Sequence, residues 1–586
     1  MKGYGEIRLT MLRLRNTQVG RPARVGRTLL CVFATAMLLP AAGCHGLGKM
    51  SAPLAQRVKE STHSTPQVSL PAIANSAPMS IETALEENKR RGIPEEAIEA
   101  DRWSATIAEM REIVLENNLA LQVIRLDPDI AATRISEEEA KFDATILVNA
   151  QLERQDLPKI DDELIPQTRD AQQNRLFKYE AGIDVPLITG GYATVRAPFS
   201  KKSLDDPTKP NQYLAAAEFT LSQPLLRNAG IATNVASIRL ERYSAATVAA
   251  QTQLSAMRIL ADAEKAYWRV FGAWRALEIR REQYEQATQN LRFVRTLVEE
   301  GQKPQIEVVR AEVGVAEQME QLIVAETDLR LAQRELKRAM NEPALPLDSA
   351  VVVVPESAPH LVGFEFDSQR LVAAALKNRL ELLELELRLA ADAVTIDFAR
   401  NQLLPNFVLD YGYTFINRGD GFTDAFEETV QGERGGWAVA LRGAIPVTNE
   451  RAKSRARRAV LQRNRRLATR AEREQLIRQE VLDSVDVLRQ NWQRILAARQ
   501  NVIVARVNYD AELIQFREGL RTQTEVLESL NRLGNAQSRE IRAIVDYQIA
   551  QIDLAFATGT LLGYSKTDLG PIQLVDFNYR ASDGAN

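Results

Sequence analysis

Cysteine is nearly missing from this chain: Cys31 and Cys44 are the two among 586 residues, so nothing after position 44 is stapled by a disulfide. Histidine is almost as scarce, with His45, His63 and His360 all outside the repeated segments described below. The chain also lacks a zinc-protease HExxH, a GxSxG elbow, a phosphate loop and a dinucleotide fingerprint. Acid pairs are plentiful, but they lie on helices with apolar stripes, where a solvated face is the ordinary reading. We therefore expect no enzyme, no catalytic residue and no metal site. An excess of either charge is lacking too, since 74 basic against 77 acidic residues give a net charge of −3 and no electrostatic reason to bind nucleic acid. Beyond residue 44 there is no run of the roughly 18 apolar residues that a membrane helix requires. Any crossing of a membrane after that point would have to be made as a β-barrel, the other structure that satisfies every backbone group in lipid.

The N-terminus is built differently. Arg13, Arg15, Arg21, Arg24 and Arg27 precede the apolar run Thr28 to Leu39 and then Pro40-Ala41-Ala42-Gly43-Cys44, an order that reads as an export signal over residues 1–43. The Ala-Ala-Gly-Cys ending resembles a bacterial lipobox, in which Cys44 is acylated and becomes the first mature residue. A plain secretory signal cut nearby is the alternative. Apart from that covalent lipid, no cofactor is expected. Residues 44–103 are rich in Ser, Pro and Ala without a sustained period, which suits a tether followed by short helices.

From about residue 104 the pattern is helical, and then the period changes. Ala144, Ile146, Val148, Ala150 and Leu152 alternate with polar residues, as do Tyr213, Ala215, Ala217, Phe219 and Leu221, so strands are predicted at about 144–154 and 213–223. Pro224 ends the second strand. From about 229 to 300 there is no proline, and Leu260, Tyr267 and Trp274 recur every seven positions, which predicts a helix roughly 105 Å long. A turn around Gly301 breaks it, and a further helix runs to about 341. The second half repeats this order, with strands predicted at about 405–417 and 435–446, Pro446 closing the latter. A proline-free helix follows over about 448–518, with Val481, Val485, Leu488, Trp492 and Leu496 at heptad-like spacing.

The repetition extends to residues. Asn117-Asn118-Leu119 corresponds to Asn378-Arg379-Leu380 at an offset of 261, and Val298-Glu299-Glu300-Gly301 to Phe516-Arg517-Glu518-Gly519 at 218. Gln305, Glu307 and Val308 fall on Gln523, Glu525 and Val526, which marks Gly301 and Gly519 as matching helix-turn tips. The reading is a mostly α chain with a small β part, a duplicated helix-strand-strand-helix-helix unit. The first repeat covers 104–343, a linker 344–366, the second repeat 367–563, and a C-terminal tail 564–586. Four amphipathic strands are too few to close a barrel around water, and the long heptad stripes have no partner within one chain. Three copies meet both needs.

This order of elements, together with Asn117-Asn118-Leu119, Ser222-Gln223-Pro224-Leu225-Leu226, Glu264-Lys265-Ala266-Tyr267-Trp268 and the segment from Gly519 to Leu533, resembles the TolC-type outer-membrane efflux protein family over about residues 104–563. The resemblance implies a homotrimer with a twelve-stranded barrel in the outer-membrane lipid, continued by an α-helical barrel through the periplasm. It implies as partners a periplasmic adaptor and an inner-membrane pump, with a small-molecule efflux duct or a type I protein secretion channel as the function. Carried over residue by residue, Arg521 matches the gating arginine, Glu525 and Glu528 the acids that ring the pore, and Glu307 the first-repeat acid, a candidate partner of Arg521. Glu stands here where the family archetype has Asp. An exported coiled-coil scaffold is the competing class, but it leaves the amphipathic strands without a role. Residues 154–212 are long for a hairpin connection; Phe177 to Leu187 with Thr189-Gly190-Gly191-Tyr192 has room for a further strand pair, and the segment is read as an extended extracellular loop. Arg451 to Arg473 carries ten basic residues and one acid, Glu472, and is read as a solvated helix surface just beneath the membrane.

Overall fold

The computed structural model describes residues 101–158, 171–204, 211–419 and 434–567, with single positions at 81, 421, 423, 425, 427 and 429. The signal, Cys44, most of the tether and the end of the tail lie outside the described residues. The elements below all belong to the unit Glu95–Asn586.

In chain order they are β1 (Arg102–Ala105), α1 (Ile107–Asn117), α2 (Leu119–Arg125), α3 (Asp127–Glu139), β2 (Thr145–Pro158), β3 (Ala171–Pro186), β4 (Tyr192–Leu204), β5 (Gln212–Pro224), α4 (Ala236–Glu299) and α5 (Ile306–Met340). The second half adds β6 (Val352–Pro355), α6 (Ser368–Asn378), α7 (Leu380–Asn401), β7 (Asn406–Gly419), β8 (Gly435–Ala444), α8 (Glu450–Arg517), α9 (Gln523–Ala557) and α10 (Leu561–Ser565). The proline-free stretches became α4 and α8, of 64 and 68 residues. At 1.5 Å per residue they reach about 96 and about 102 Å. Each folds back on a 35-residue partner, α5 or α9.

Both turns use one device. Gly301 (φ +74°) and Gly519 (φ +81°) take the left-handed conformation that ends a helix without a Cβ penalty. Gly301 N donates to Val298 O and Gln302 N to Leu297 O; Gly519 N donates to Phe516 O and Leu520 N to Gln515 O. The duplication is as close elsewhere. Asn118 Nδ2 donates to Ala339 O at 2.7 Å, and Arg379, its counterpart, donates to Ala557 O at 3.2 Å. Asn341 (φ +47°) and Gly559 (φ +69°) are a matched pair as well. Asn341 Nδ2 donates to Asn117 O at 3.0 Å, and a Cβ on Gly559 would stand 3.1 Å from the backbone of Asn378. Each repeat thus ties the start of its first helices to the end of its last long one.

The strands form one antiparallel sheet in the order β2-β3-β4-β5-β7-β8. The extended loop expected over 154–212 is therefore corrected: β3 and β4 are a full hairpin inside the sheet. The cause is a period of two, in which Phe177, Tyr179, Ala181, Ile183 and Val185 alternate with Lys178, Glu180, Gly182 and Asp184 and continue the faces of the flanking strands. Each chain thus brings six strands to the sheet, where the twelve-stranded count took four from each of three copies. The four expected strands form within a few residues of their expected limits. A second sheet was not foreseen: β1 and β6 pair in parallel and join the start of the first repeat to the linker after it. Four residues per strand leave too little pattern to read.

The main core gathers around α4, with Met110, Met257, Tyr267, Val270, Leu336 and Ile552 buried. Inside it Glu264, fully buried, receives Arg111 Nε at 2.7 Å and the Ser565 hydroxyl at 2.5 Å. Arg111 Nη1 also donates to Ser565 O at 3.2 Å, so one carboxylate ties α1, α4 and the chain's last described helix together.

Candidate functional site

Two regions have the makings of a conduit: the helix tips and the two faces of the sheet. At the tips, both helical hairpins share a cluster of Ala287, Val294, Val308, Tyr509, Phe516 and Val526. Lys303 of one turn lies over the Phe516 ring beneath the other, 4.9 Å from its centre. Leu520, beside Gly519, is exposed.

The expected gate residues stand around this end. Arg521 Nη1 donates to Glu525 Oε1 at 2.8 Å, its Nε to Gln515 Oε1 at 2.9 Å, and Nε lies 3.3 Å from Glu512. Glu525 also receives Thr522 N at 2.8 Å and the Thr522 hydroxyl at 3.1 Å, closing a capping box at the start of α9. Glu528 is paired with Arg532 at 2.5 Å on an exposed flank. The pair expected between Glu307 and Arg521 is not formed within the chain. Glu307 is nearly buried where α5 meets the start of α9, and it binds Arg310 at 2.8 Å and the Gln523 N–H at 3.3 Å. A helix N-terminus presents unpaired N–H groups, and the nearest acid took one. Arg521 turned instead to acids of its own hairpin, which the sequence reading did not weigh; Glu512, about two helical turns before Gly519, carried no motif that marked it.

The Thr522 N–H, and after it Arg521, holds the Glu525 carboxyl below its ordinary 4.5. A carboxylate with a depressed folded value supports the turn above 4.5 and ceases to as pH falls through that lower value. Hydrogen-exchange protection of residues 522–526, corrected for intrinsic rates, is thus expected to hold down to pH 4.5 and drop below it. Glu525→Gln should show the low protection already at pH 7; full protection in that variant would remove the capping role.

On the sheet, rows of directly opposed residues share a face. Ile146, Ile183, Val195, Phe219, Tyr413 and Trp437 make one apolar row across all six strands. The next row on the other face runs Leu147, Gly182, Arg196, Glu218, Thr414 and Gly436, and that face carries the charges of Glu180, Asp184, Asp410 and Arg442. Ser222 donates to Asp410 at 2.5 Å, and Arg442 binds the same carboxylate through two nitrogens. Both edges are open and apolar: Ile146, Val148 and Leu152 on β2 and Trp437, Val439 and Leu441 on β8 are all more than half exposed. Such edges invite pairing with another chain. No helix among the described residues is long and apolar enough to cross a membrane.

Comparison with known proteins adds a family match over part of the chain and a shared fold. Residues 371–560 match the outer membrane efflux protein family. The matched segment is 190 of the 586 residues and lies within the second repeat. The first half carries the same unit by the offsets and contacts given above. The fold is shared with solved structures: the Campylobacter jejuni CmeC outer membrane channel (13% identity, 78% of this chain and 86% of that one, TM-score 0.57), the outer membrane protein VceC of Vibrio cholerae (14%, 77% and 96%, 0.56) and the open state of the Neisseria gonorrhoeae MtrE outer membrane channel (16%, 78% and 89%, 0.55). No curated protein sequence matches the chain. Outer membrane efflux proteins are channels and not enzymes, as the sequence reading expected.

The basic stretch of α8 divides in two. Arg466 binds Asp392 through both nitrogens, Arg470 binds Glu386 at 3.0 Å, Arg473 binds Glu381 at 3.1 Å, and Arg463 donates to Leu389 O at 2.7 Å. The lower part is therefore an interhelical seam with α7, which the solvated-surface reading did not foresee. Arg451, Lys453, Arg455, Arg457 and Arg458, next to the sheet, are exposed and fit that reading.

Proposed function

We propose that three copies of this chain assemble into an outer-membrane exit duct that receives cargo from an inner-membrane pump through a periplasmic adaptor and releases it outside. The observation that carries this reading is the sheet: apolar on one face, polar on the other, unpaired at both edges, and continuous with two helical hairpins about 100 Å long. An apolar outer face suits lipid and a polar inner face suits water. The apolar stripes left exposed on α8 at Val460, Leu467, Leu496 and Ile503, and on α5 at Val309 and Val313, are what a ring of neighbouring hairpins covers. The signal over 1–43 would deliver the chain to the periplasm, and a lipid on Cys44 would hold its N-terminus at the membrane. Arg521, Glu525, Glu528 and Glu307 form the periplasmic gate, with Gly301 and Gly519 shaping its tips. Purified protein is expected to run at three times the chain mass in detergent and to carry ion currents in planar bilayers. A folded monomer that never conducts would return the exported scaffold to first place.

A further inference from the structure

The hairpin of β3 and β4 sits between β2 and β5, where a four-stranded subunit would join those two directly. Five observations bear on where it lies. Its strands have 16 and 13 residues, more than the roughly 9–11 that a membrane strand requires. Both of its faces continue those of its neighbours, Ile183 and Val195 lying in the apolar row and Asp184 and Arg196 on the polar side. Three of its charges pair on that polar side: Arg196 donates to Glu180 at 3.0 Å and lies 3.5 Å from Asp184. Lys201, on the apolar face, lies at the far end of its strand over the Tyr213 ring, 5.4 Å from the centre, as a snorkelling cation at an interface does. Its turn is docked as well. Thr189 Oγ1 donates to Gln223 Oε1 at 2.7 Å, and Gly230 N donates to Thr189 O at 3.0 Å. Gly190, at φ +91°, is pressed so closely on Asn228 and Asn234 that a Cβ has no room.

We infer that this hairpin is part of the transmembrane wall, so that the assembled channel is an eighteen-stranded barrel whose water-filled lumen is lined by Glu180, Asp184 and Arg196. The inference rests on the trimeric channel proposed above. The direction of the strands allows it: β8 runs antiparallel to the β2 of a neighbouring copy, so three six-stranded sheets close without a parallel seam. Barrel diameter grows roughly linearly with strand number, which makes this exit about 1.5 times as wide as a twelve-stranded one and puts it in the range where an open aqueous channel remains. Its lining pairs acids with bases, as Arg196 with Glu180 and Arg442 with Asp410. A wide, charge-balanced lumen passes bulky hydrophilic solutes with little preference for either sign, and leaves selection to the narrow tips.

Single cysteines test this in the full chain embedded in membranes, with the parent chain's own labelling as blank. Ser200→Cys and Arg196→Cys on the polar face, and Ile183→Cys and Val195→Cys on the apolar face, are compared with Glu218→Cys and Phe219→Cys on β5 for reaction with a water-soluble maleimide. Ser200 makes no ion pair, so its variant keeps the test usable if Arg196→Cys fails to fold. The expected result is fast labelling at 196, 200 and 218 and labelling several times slower at 183, 195 and 219. Uniform labelling of the hairpin sites while 218 and 219 still differ would put the hairpin outside the wall and overturn the inference alone. Uniform labelling of all six would overturn it together with the channel itself.

Discussion

Arg521→Ala is expected to convert small, flickering currents in planar bilayers into larger and steadier ones. Arg521 links the last turn of α8, through Gln515 and Glu512, to the first turn of α9, through Glu525, across the Gly519 turn. Removing the guanidinium leaves two acids facing each other at the tip and loosens the turn that narrows the duct. Three-fold symmetry multiplies the effect: a factor of about two per subunit, which a half-exposed ion pair supports, becomes about eight in the open-to-closed ratio of the trimer. Arg269→Ala, which breaks an exposed pair with Glu335 away from the tips, is the control and should do much less. Currents unchanged by Arg521→Ala would keep the duct but move its gate elsewhere. Glu307, expected to answer Arg521, does not meet it within the chain. Glu307→Ala instead is expected to unseat the start of α9, because its partners are Arg310 and the Gln523 N–H.

The largest loss of stability is expected from Glu264→Ala. Its carboxylate is fully buried and binds Arg111 and Ser565, so truncation leaves a largely buried guanidinium unpaired, a change that costs about 3–5 kcal/mol. The midpoint of denaturant unfolding in detergent should fall accordingly, with loss of the assembled species at lower denaturant than in the parent. Replacing both partners by apolar residues, Glu264→Met with Arg111→Met, is expected to recover most of that loss, since matched apolar groups need no counter-charge. A double variant as unstable as Glu264→Ala would show that the stability comes from the hydrogen bonds to Ser565 and not from charge pairing.

The sequence by itself determined what depends on neighbours a few residues apart. Heptad spacing and the absence of proline specified α4 and α8; alternation bounded by Pro224 and Pro446 specified four strands; Gly301 and Gly519 specified the turns, because only a residue without a Cβ takes that backbone freely. The two offsets foretold that residues 118 and 379 occupy matching places, where their side chains reach Ala339 and Ala557. The alternation from Phe177 to Val185 was legible as well, yet alternation alone does not say which strands a segment will lie between. That was decided by the tertiary structure, which inserted β3 and β4 between β2 and β5 and raised the sheet from four strands to six. The same holds for every charge whose partner is distant in sequence: Glu264 with Arg111, Arg466 with Asp392, and Glu307 with the start of α9. An ion pair depends on which helices come side by side and at what height, and a periodicity of 3.6 or 2 carries no information about either.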